Sequence, residues 1–261
     1  MNKEKPAGKR TVRRIVRILI VAFLLFGVTA VCMSLFVSRP ALRTAEEYRA
    51  AFPDTVISIS ADGSVEIAPG AGTEAKPTGI IFYIGAQIEP QAYIPLLARL
   101  SENGYFCSIP KLPFNMASIK PNAAEAVMTA HPEIGRWYLA GHSMGGYTAS
   151  GFAGKHPDTC AGLILIAAYP AHDLSRADFP VLSVYGDADG VLNRKLYEKR
   201  LAWNPADLEE HILPGGNHAG FADYGPQPRD NEAAVPAEEQ QAAAAVIIRD
   251  WIERHETGRI G

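Results

Sequence analysis

The chain has 261 residues, 48% of them hydrophobic and 20% charged, with a formal net charge of −3. That length supports one sizeable α/β domain with its own core, and the composition excludes a disordered or fibrous chain. Residues 1–17 hold seven basic residues against one acid, Glu4; net +6 there leaves −9 on the remainder, which argues against nucleic-acid binding.

The basic end leads into 20 residues without a charge, Ile18 to Val37. At about 1.5 Å per residue, a helix of that length spans roughly the 30 Å hydrocarbon core of a bilayer. The expectation is a single-pass anchor through residues 18–37, with the basic segment cytoplasmic and the rest outside. A cleaved signal peptide is the rival, with Val28-Thr29-Ala30 as the cleavage site and a secreted product. Apolar residues continue past that site to Val37, which favours the uncleaved anchor. A lipoprotein signal ending at Cys32 is disfavoured by the bulky Val31. Both surviving readings export the domain.

Residues 38–77 read as a linker and an N-terminal hairpin. A short helix is expected over Leu42–Ala51, and two alternating strands, Val56–Ile59 and Val65–Ala68, flank Ala61-Asp62-Gly63. The core then runs over residues 78–255, with 256–261 left as a tail. Apolar runs at Gly79–Ile84, Tyr105–Ile109, Arg136–Ala140, Ala161–Ala167 and Val181–Tyr185 suit buried parallel strands, and Glu209–Leu213 makes a short last one. Helices are expected between them, at about Gln91–Asn103, Ala123–Ala130, Met144–Lys155 and Leu192–Ala202, with an amphipathic closing helix at Ala237–His255. Strands alternating with helices indicate a doubly wound, mostly parallel sheet covered on both faces.

Three cysteines, Cys32, Cys107 and Cys160, make neither a disulfide framework nor a metal site, since no Cys-x-x-Cys occurs. Cys107 and Cys160 border apolar segments and read as small buried thiols. No His/Asp/Glu cluster has ligand spacing, so neither metal nor cofactor is expected.

One stretch organises the core: Gly141-His142-Ser143-Met144-Gly145-Gly146, between the Arg136–Ala140 strand and the Met144–Lys155 helix. Gly-x-Ser-x-Gly at a strand–turn–helix junction is a nucleophile elbow, which holds a serine hydroxyl out from the sheet on a strained backbone. By chance alone the pattern occurs in a chain of this length with a probability on the order of 0.1. Its setting and its partners downstream raise it above that.

A serine hydroxyl needs a base to take its proton and a carboxylate to orient that base. In an open α/β sheet both belong just past the C-terminal ends of strands. The Gly186-Asp187-Ala188-Asp189-Gly190 turn follows one strand and offers two carboxylates. Asp189 is far enough past Gly186 to swing back over the sheet edge, whereas Asp187 is better suited to forming the turn. The glycine-rich loop Pro214-Gly215-Gly216-Asn217-His218 follows the last strand and supplies the base, His218. The other histidines sit at element ends or within elements, and His142 points into packing.

Ser143, Asp189 and His218 occur in the chain order of α/β-hydrolases. On those three motifs residues 78–255 resemble that superfamily, particularly compact members similar to dienelactone hydrolase and bacterial carboxylesterases. The resemblance implies an oxyanion hole of two backbone N–H groups. One would be that of Met144 and the other that of Ala86, with Gln87 as the competing candidate. The family's usual His-Gly is replaced here by Ile84-Gly85-Ala86-Gln87. Only 13 residues, Ala168 to Pro180, fill the connection where family members often carry a lid, so an open site is expected. Tyr169, Phe221 and Gln87 are candidate pocket residues.

These residues point to a membrane-anchored, extracytoplasmic serine hydrolase that acts on carboxylic esters of small molecules through an acyl-serine. An exported acyltransferase, thioesterase or peptidase would use the same apparatus. A non-catalytic binding module on a hydrolase scaffold is the alternative from another class.

Overall fold

The computed structural model describes residues 7–34 and 38–257, with side chains described for 13–27 and 38–257. Two units separate at Val37, and each is taken by itself. In the first, helix α1 spans Ala7–Ser34. Its described apolar side chains, Phe23 and Phe26 among them, are exposed. Among the described residues no helix is long and apolar enough to cross a membrane. The expected span, residues 18–37, runs past the end of α1 into residues outside those described.

The second unit is built on one eight-stranded sheet. Its strands are β1 (Thr55–Ile59), β2 (Val65–Pro69), β3 (Thr78–Tyr83), β4 (Phe106–Ile109), β5 (Arg136–His142), β6 (Gly162–Ile166), β7 (Val181–Gly186) and β8 (Leu208–Leu213). They lie in the order β1-β2-β4-β3-β5-β6-β7-β8. From β4 to β8 every pair is parallel, while β1 with β2 and β2 with β4 are antiparallel. Strands β3, β6 and β7 are buried at every residue, as strands covered by helices on both faces must be.

Helices α3 (Ile94–Ser101), α4 (Ala123–Ala130), α5 (Met144–Ala153), α6 (Arg194–Arg200) and α7 (Ala237–Thr257) follow strands β3, β4, β5, β7 and β8 respectively. The expected helix at 91–103 divides into a 3-10 turn, Pro90–Tyr93, and α3, because proline stands near the start of each. Helix α6 begins at Arg194 because the side chain of Asn193 accepts the Leu196 N–H at 3.0 Å, which caps it. Cys107 and Cys160 are free and buried, as expected.

In the segment 38–77 the expected hairpin is present as β1 and β2, and it is joined to the main sheet. Val65 and Ile67 are fully buried, and residues 65–67 pair with 107–109, so the hairpin forms the edge of the main sheet. Upstream, α2 (Ala45–Ala51) starts on a capping box between Thr44 and Glu47 and buries Tyr48. Arg43 donates to Asp223 at 2.7 Å, and Leu42 N–H to the Asp223 carbonyl at 2.9 Å. An alternating strand pattern identifies a buried face but not the neighbour that buries it.

Between β6 and β7, residues 167–180 contain no helix or strand, so no lid lies over this end of the sheet.

Candidate active site

Strand β5 runs into α5 through Ser143, whose backbone sits at φ 55°, ψ −122°. A β-carbon there is strained, and the strain lifts the side chain clear of the strand it follows. Glycines make the turn possible. A methyl group at Gly145 would collide with the carbonyl oxygens of Tyr83 and Ile84 at the end of β3, and one at Gly141 with the backbone of Gly145 and Gly146. The Ser143 N–H is held by the Ile166 carbonyl of β6 at 2.9 Å. Met144 opens α5, where a helix leaves its first N–H groups without an intrahelical acceptor.

Asp189 follows β7. Its Oδ1 accepts the N–H groups of Val191 and Leu192, both at 2.8 Å, and its Oδ2 lies 2.9 Å from Nδ1 of His218. Both side chains are almost wholly buried. Burial raises the Asp189 carboxyl pKa, but the hydrogen bond and charge of His218, with the two amide donors, outweigh it and hold the group below its ordinary value. The other carboxylate of the turn, Asp187, accepts Gly215 N–H at 2.7 Å and so ties the loop of Asp189 to the loop of His218.

His218 follows β8 and lines a cleft of about 330 Å³ together with Ser143, Met144, Tyr147, Tyr169 and Leu192. Its Nε2 is buried and has no hydrogen-bond partner among the described residues. Asp189 and His218 are thus joined directly, while Ser143 shares the cleft with His218 without a hydrogen bond to it.

His142 packs behind the serine, fully buried, with its ring 4.6 Å from that of His218. Burial, followed by the charge of His218, holds its pKa well below the ordinary value, so the ring is neutral at physiological pH. His142 Nδ1 is hydrogen-bonded to the Tyr93 hydroxyl at 2.8 Å, and that hydroxyl accepts Gly85 N–H at 2.9 Å. Tyr93 therefore fastens the loop after β3 to the strand that carries the serine.

That loop bears on the two candidate oxyanion donors. Gln87 N–H is committed to the Asn115 carbonyl at 2.8 Å, with Gln87 at φ 59°. No such bond engages Ala86 N–H among the described residues. Of the pair, Ala86 is the one left free to serve.

Two pocket expectations are corrected. Phe221 is fully buried beneath the site against His142, at 5.9 Å between rings, and does not line the cleft. Gln87 does not line it either. Tyr169 does; it meets Tyr147 edge-on, and the Arg200 guanidinium lies 4.9 Å over its ring while donating to the Pro170 carbonyl at 2.8 Å.

Sequence reasoning missed the supports of the base's loop. Gln240 of α7 accepts Asn217 N–H at 3.0 Å and donates to its carbonyl at 2.7 Å. Gln241 donates to the Gly220 carbonyl at 3.3 Å. Both glutamines are buried on an otherwise apolar helix face, and that was the available signal.

Comparison with known proteins agrees with this architecture. The model of the alpha/beta hydrolase family matches residues 79–242. No curated protein matches the chain. Among solved structures, the chain is similar to Est1E from Butyrivibrio proteoclasticus, at 16% identity and a TM-score of 0.53, over 78% of this chain and 99% of that one. It is also similar to XC6422 from Xanthomonas campestris, an α/β serine hydrolase without a lid, at 16% identity, TM-score 0.51, and 76% and 94% coverage. A third likeness is to the esterase Rv0045c from Mycobacterium tuberculosis, at 12% identity, TM-score 0.53, and 80% and 96% coverage. These structures share the fold. The chain belongs to the alpha/beta hydrolase family, and it is a hydrolase.

Proposed function

We propose that this member of the alpha/beta hydrolase family is a serine esterase that hydrolyses small carboxylic esters through an acyl-serine. Ser143 attacks the ester carbonyl; His218 Nε2 takes the serine proton and returns it to the departing alcohol; Asp189 fixes the His218 ring and stabilises its charged form. The N–H groups of Met144 and Ala86 hold the oxyanion, each worth about 3 kcal/mol in the transition state. Water then attacks the acyl-serine with His218 again as base. The observation that carries this reading is the 2.9 Å bond between Asp189 and His218 Nδ1, in a histidine whose buried Nε2 is left unpartnered beside Ser143.

A small cleft with apolar and aromatic walls favours a short acyl group, and no polar side chain in it is charged apart from His218 when protonated. The test is hydrolysis of p-nitrophenyl esters of increasing chain length beside peptide anilides and acyl thioesters. Preference for short esters, lost in Ser143→Ala and His218→Gln, is the expected result. Faster turnover of anilides or thioesters would move the reading to a peptidase or a thioesterase.

The location is proposed on the sequence: seven basic residues followed by the uncharged stretch 18–37 support an anchored, extracytoplasmic domain. Protease added to intact cells should cut residues 38–261. Protection of that domain would refute the placement, and its release into the medium would indicate signal cleavage.

A further inference from the structure

Between the 3-10 turn Ala219–Phe221 and α7 the chain runs through residues 222–236 without a helix or strand. Asp230 lies in that segment, and the carboxylate takes four backbone N–H groups. Its Oδ1 accepts from Gly190 at 3.0 Å, from His218 at 3.2 Å and from its neighbour Asn231 at 3.0 Å; its Oδ2 accepts from Ala219 at 2.8 Å. Gly190 directly follows Asp189, and His218 is its hydrogen-bond partner. One side chain therefore grips both loops whose relative placement sets the Asp189–His218 bond.

The backbone around Asp230 is shaped for this contact. A methyl group at Gly190 would lie 2.6 Å from the Arg229 carbonyl oxygen and 2.9 Å from Asn231 N. Arg229 sits at φ 71°, in the left-handed region that non-glycine residues seldom adopt. Asn217 Nδ2 donates to the Asn231 carbonyl at 2.7 Å, and Ala234 N–H donates to the Gly215 carbonyl at 2.8 Å, which seats the segment against the base's loop. Strain of this kind persists only where the surroundings over-determine it.

From this geometry we infer that Asp230 is a positioning residue of the hydrolytic site, a latch that sets the angle and distance at which Asp189 meets His218. The inference rests on the serine hydrolase reading, but its deciding readout does not. Asp230 touches neither substrate nor reacting atoms and acts through the two loops. Outer groups that orient the ligands of a metal contribute about tenfold to hundredfold in activity, and a latch on an acid–base pair is expected to act on a similar scale.

The substitution Asp230→Asn keeps the size of the side chain but has a single acceptor oxygen, and it points an N–H₂ at amides that are themselves donors. Gly190→Ala is the second variant; it leaves Asp230 intact and pushes residues 229–231 away from the acid's loop. In each, kcat is taken per Ser143 titrated to completion with a fluorophosphonate, so that a fraction of unfolded chain does not count. The low-field proton resonance of His218 Nδ1–H is recorded without substrate. For Asp230→Asn the expected result is a kcat lower by about tenfold or more, KM within about threefold of wild type, and a weakened or shifted low-field resonance, with Gly190→Ala reproducing the pattern. A kcat within about twofold of wild type overturns the inference, as does a fall in kcat with the resonance unchanged. If the wild type takes no fluorophosphonate the esterase reading fails, while the resonance still decides whether Asp230 sets the Asp189–His218 pair.

Discussion

The Tyr93 hydroxyl stands 2.8 Å from His142 Nδ1 and accepts the Gly85 N–H at 2.9 Å, so a single oxygen joins the loop after β3 to the strand that presents Ser143. Tyr93 is fully buried, and all three groups have exchanged water for one another. Tyr93→Phe keeps the ring and removes the oxygen, leaving a buried amide and a buried imidazole nitrogen unpaired. A stability loss of about 1–3 kcal/mol is expected. Because Gly85 precedes Ala86, the proposed oxyanion donor, kcat should fall more than KM rises. Urea denaturation and steady-state kinetics check the two effects, and an unchanged stability would remove Tyr93 from this role.

His142 also ties stability to pH. Its folded pKa lies well below its unfolded value, chiefly through burial, so the unfolded chain binds a proton that the folded chain refuses. The sign follows: the contribution is complete above the unfolded pKa of about 6.5 and is lost as pH falls, by at most about 1.4 kcal/mol per pH unit. The lowered Asp189 carboxyl adds a loss of the same sign at more acid pH, from its unfolded pKa of about 3.9 downward. His142→Asn should therefore flatten the stability curve between about pH 6.5 and 5. Equal slopes in variant and wild type would show that His142 does not titrate on unfolding.

Ser143 stores backbone strain at φ 55°, ψ −122°. Glycine occupies that region without a β-carbon penalty, so Ser143→Gly should be more stable than wild type by about 1 kcal/mol while losing activity. A higher Tm for the inactive variant checks this. A lower one would mean that the hydroxyl contributes more to the fold than the strain costs.

At Gly145 the opposite holds. Gly145→Ala drives a methyl group into the Tyr83 and Ile84 carbonyls, both backbone atoms of a buried strand end. A destabilisation of about 3 kcal/mol or more is expected, with activity lost alongside. Calorimetry that shows a wild-type Tm would contradict the packing described.

Tyr169 forms one wall of the cleft, with Arg200 stacked over its ring. Tyr169→Ala should open the cleft and move the ester preference toward longer acyl chains. Comparing kcat/KM across an acyl series reads the shift directly, and an unchanged series would place the acyl group elsewhere.

Ser143, Asp189 and His218 could be proposed from the sequence because their signals are local, and the structure joins Asp189 to His218 and sets Ser143 and His218 on one cleft. A serine between glycines at a strand–helix turn, or a polar residue in a turn just past an apolar run, needs only a few neighbours to be read. The parallel core was legible for the same reason, since buried strands are continuous apolar runs. Asp230, Tyr93 and Gln240 escaped because each works through groups distant in sequence: Asp230 accepts the amides of Ala219 and Gly190, 11 and 40 residues away, Gln240 accepts that of Asn217, 23 residues away, and the Tyr93 hydroxyl meets the His142 ring, 49 residues away. The bond that occupies Gln87 N–H was not legible either, since its acceptor, the Asn115 carbonyl, is supplied by a distant loop. Phe221 was misplaced because an aromatic residue in a loop gives no sign of whether it lines the cleft or packs beneath it.

The nucleophile is the centre of the proposed chemistry, and labelling by a fluorophosphonate probe tests it most directly. Folded wild-type protein should be labelled covalently, and Ser143→Ala, shown to be folded by its circular dichroism, should not be. A wild type that is folded and stays unlabelled, or a variant labelled as fast as the wild type, would contradict the assignment of Ser143 as the attacking group.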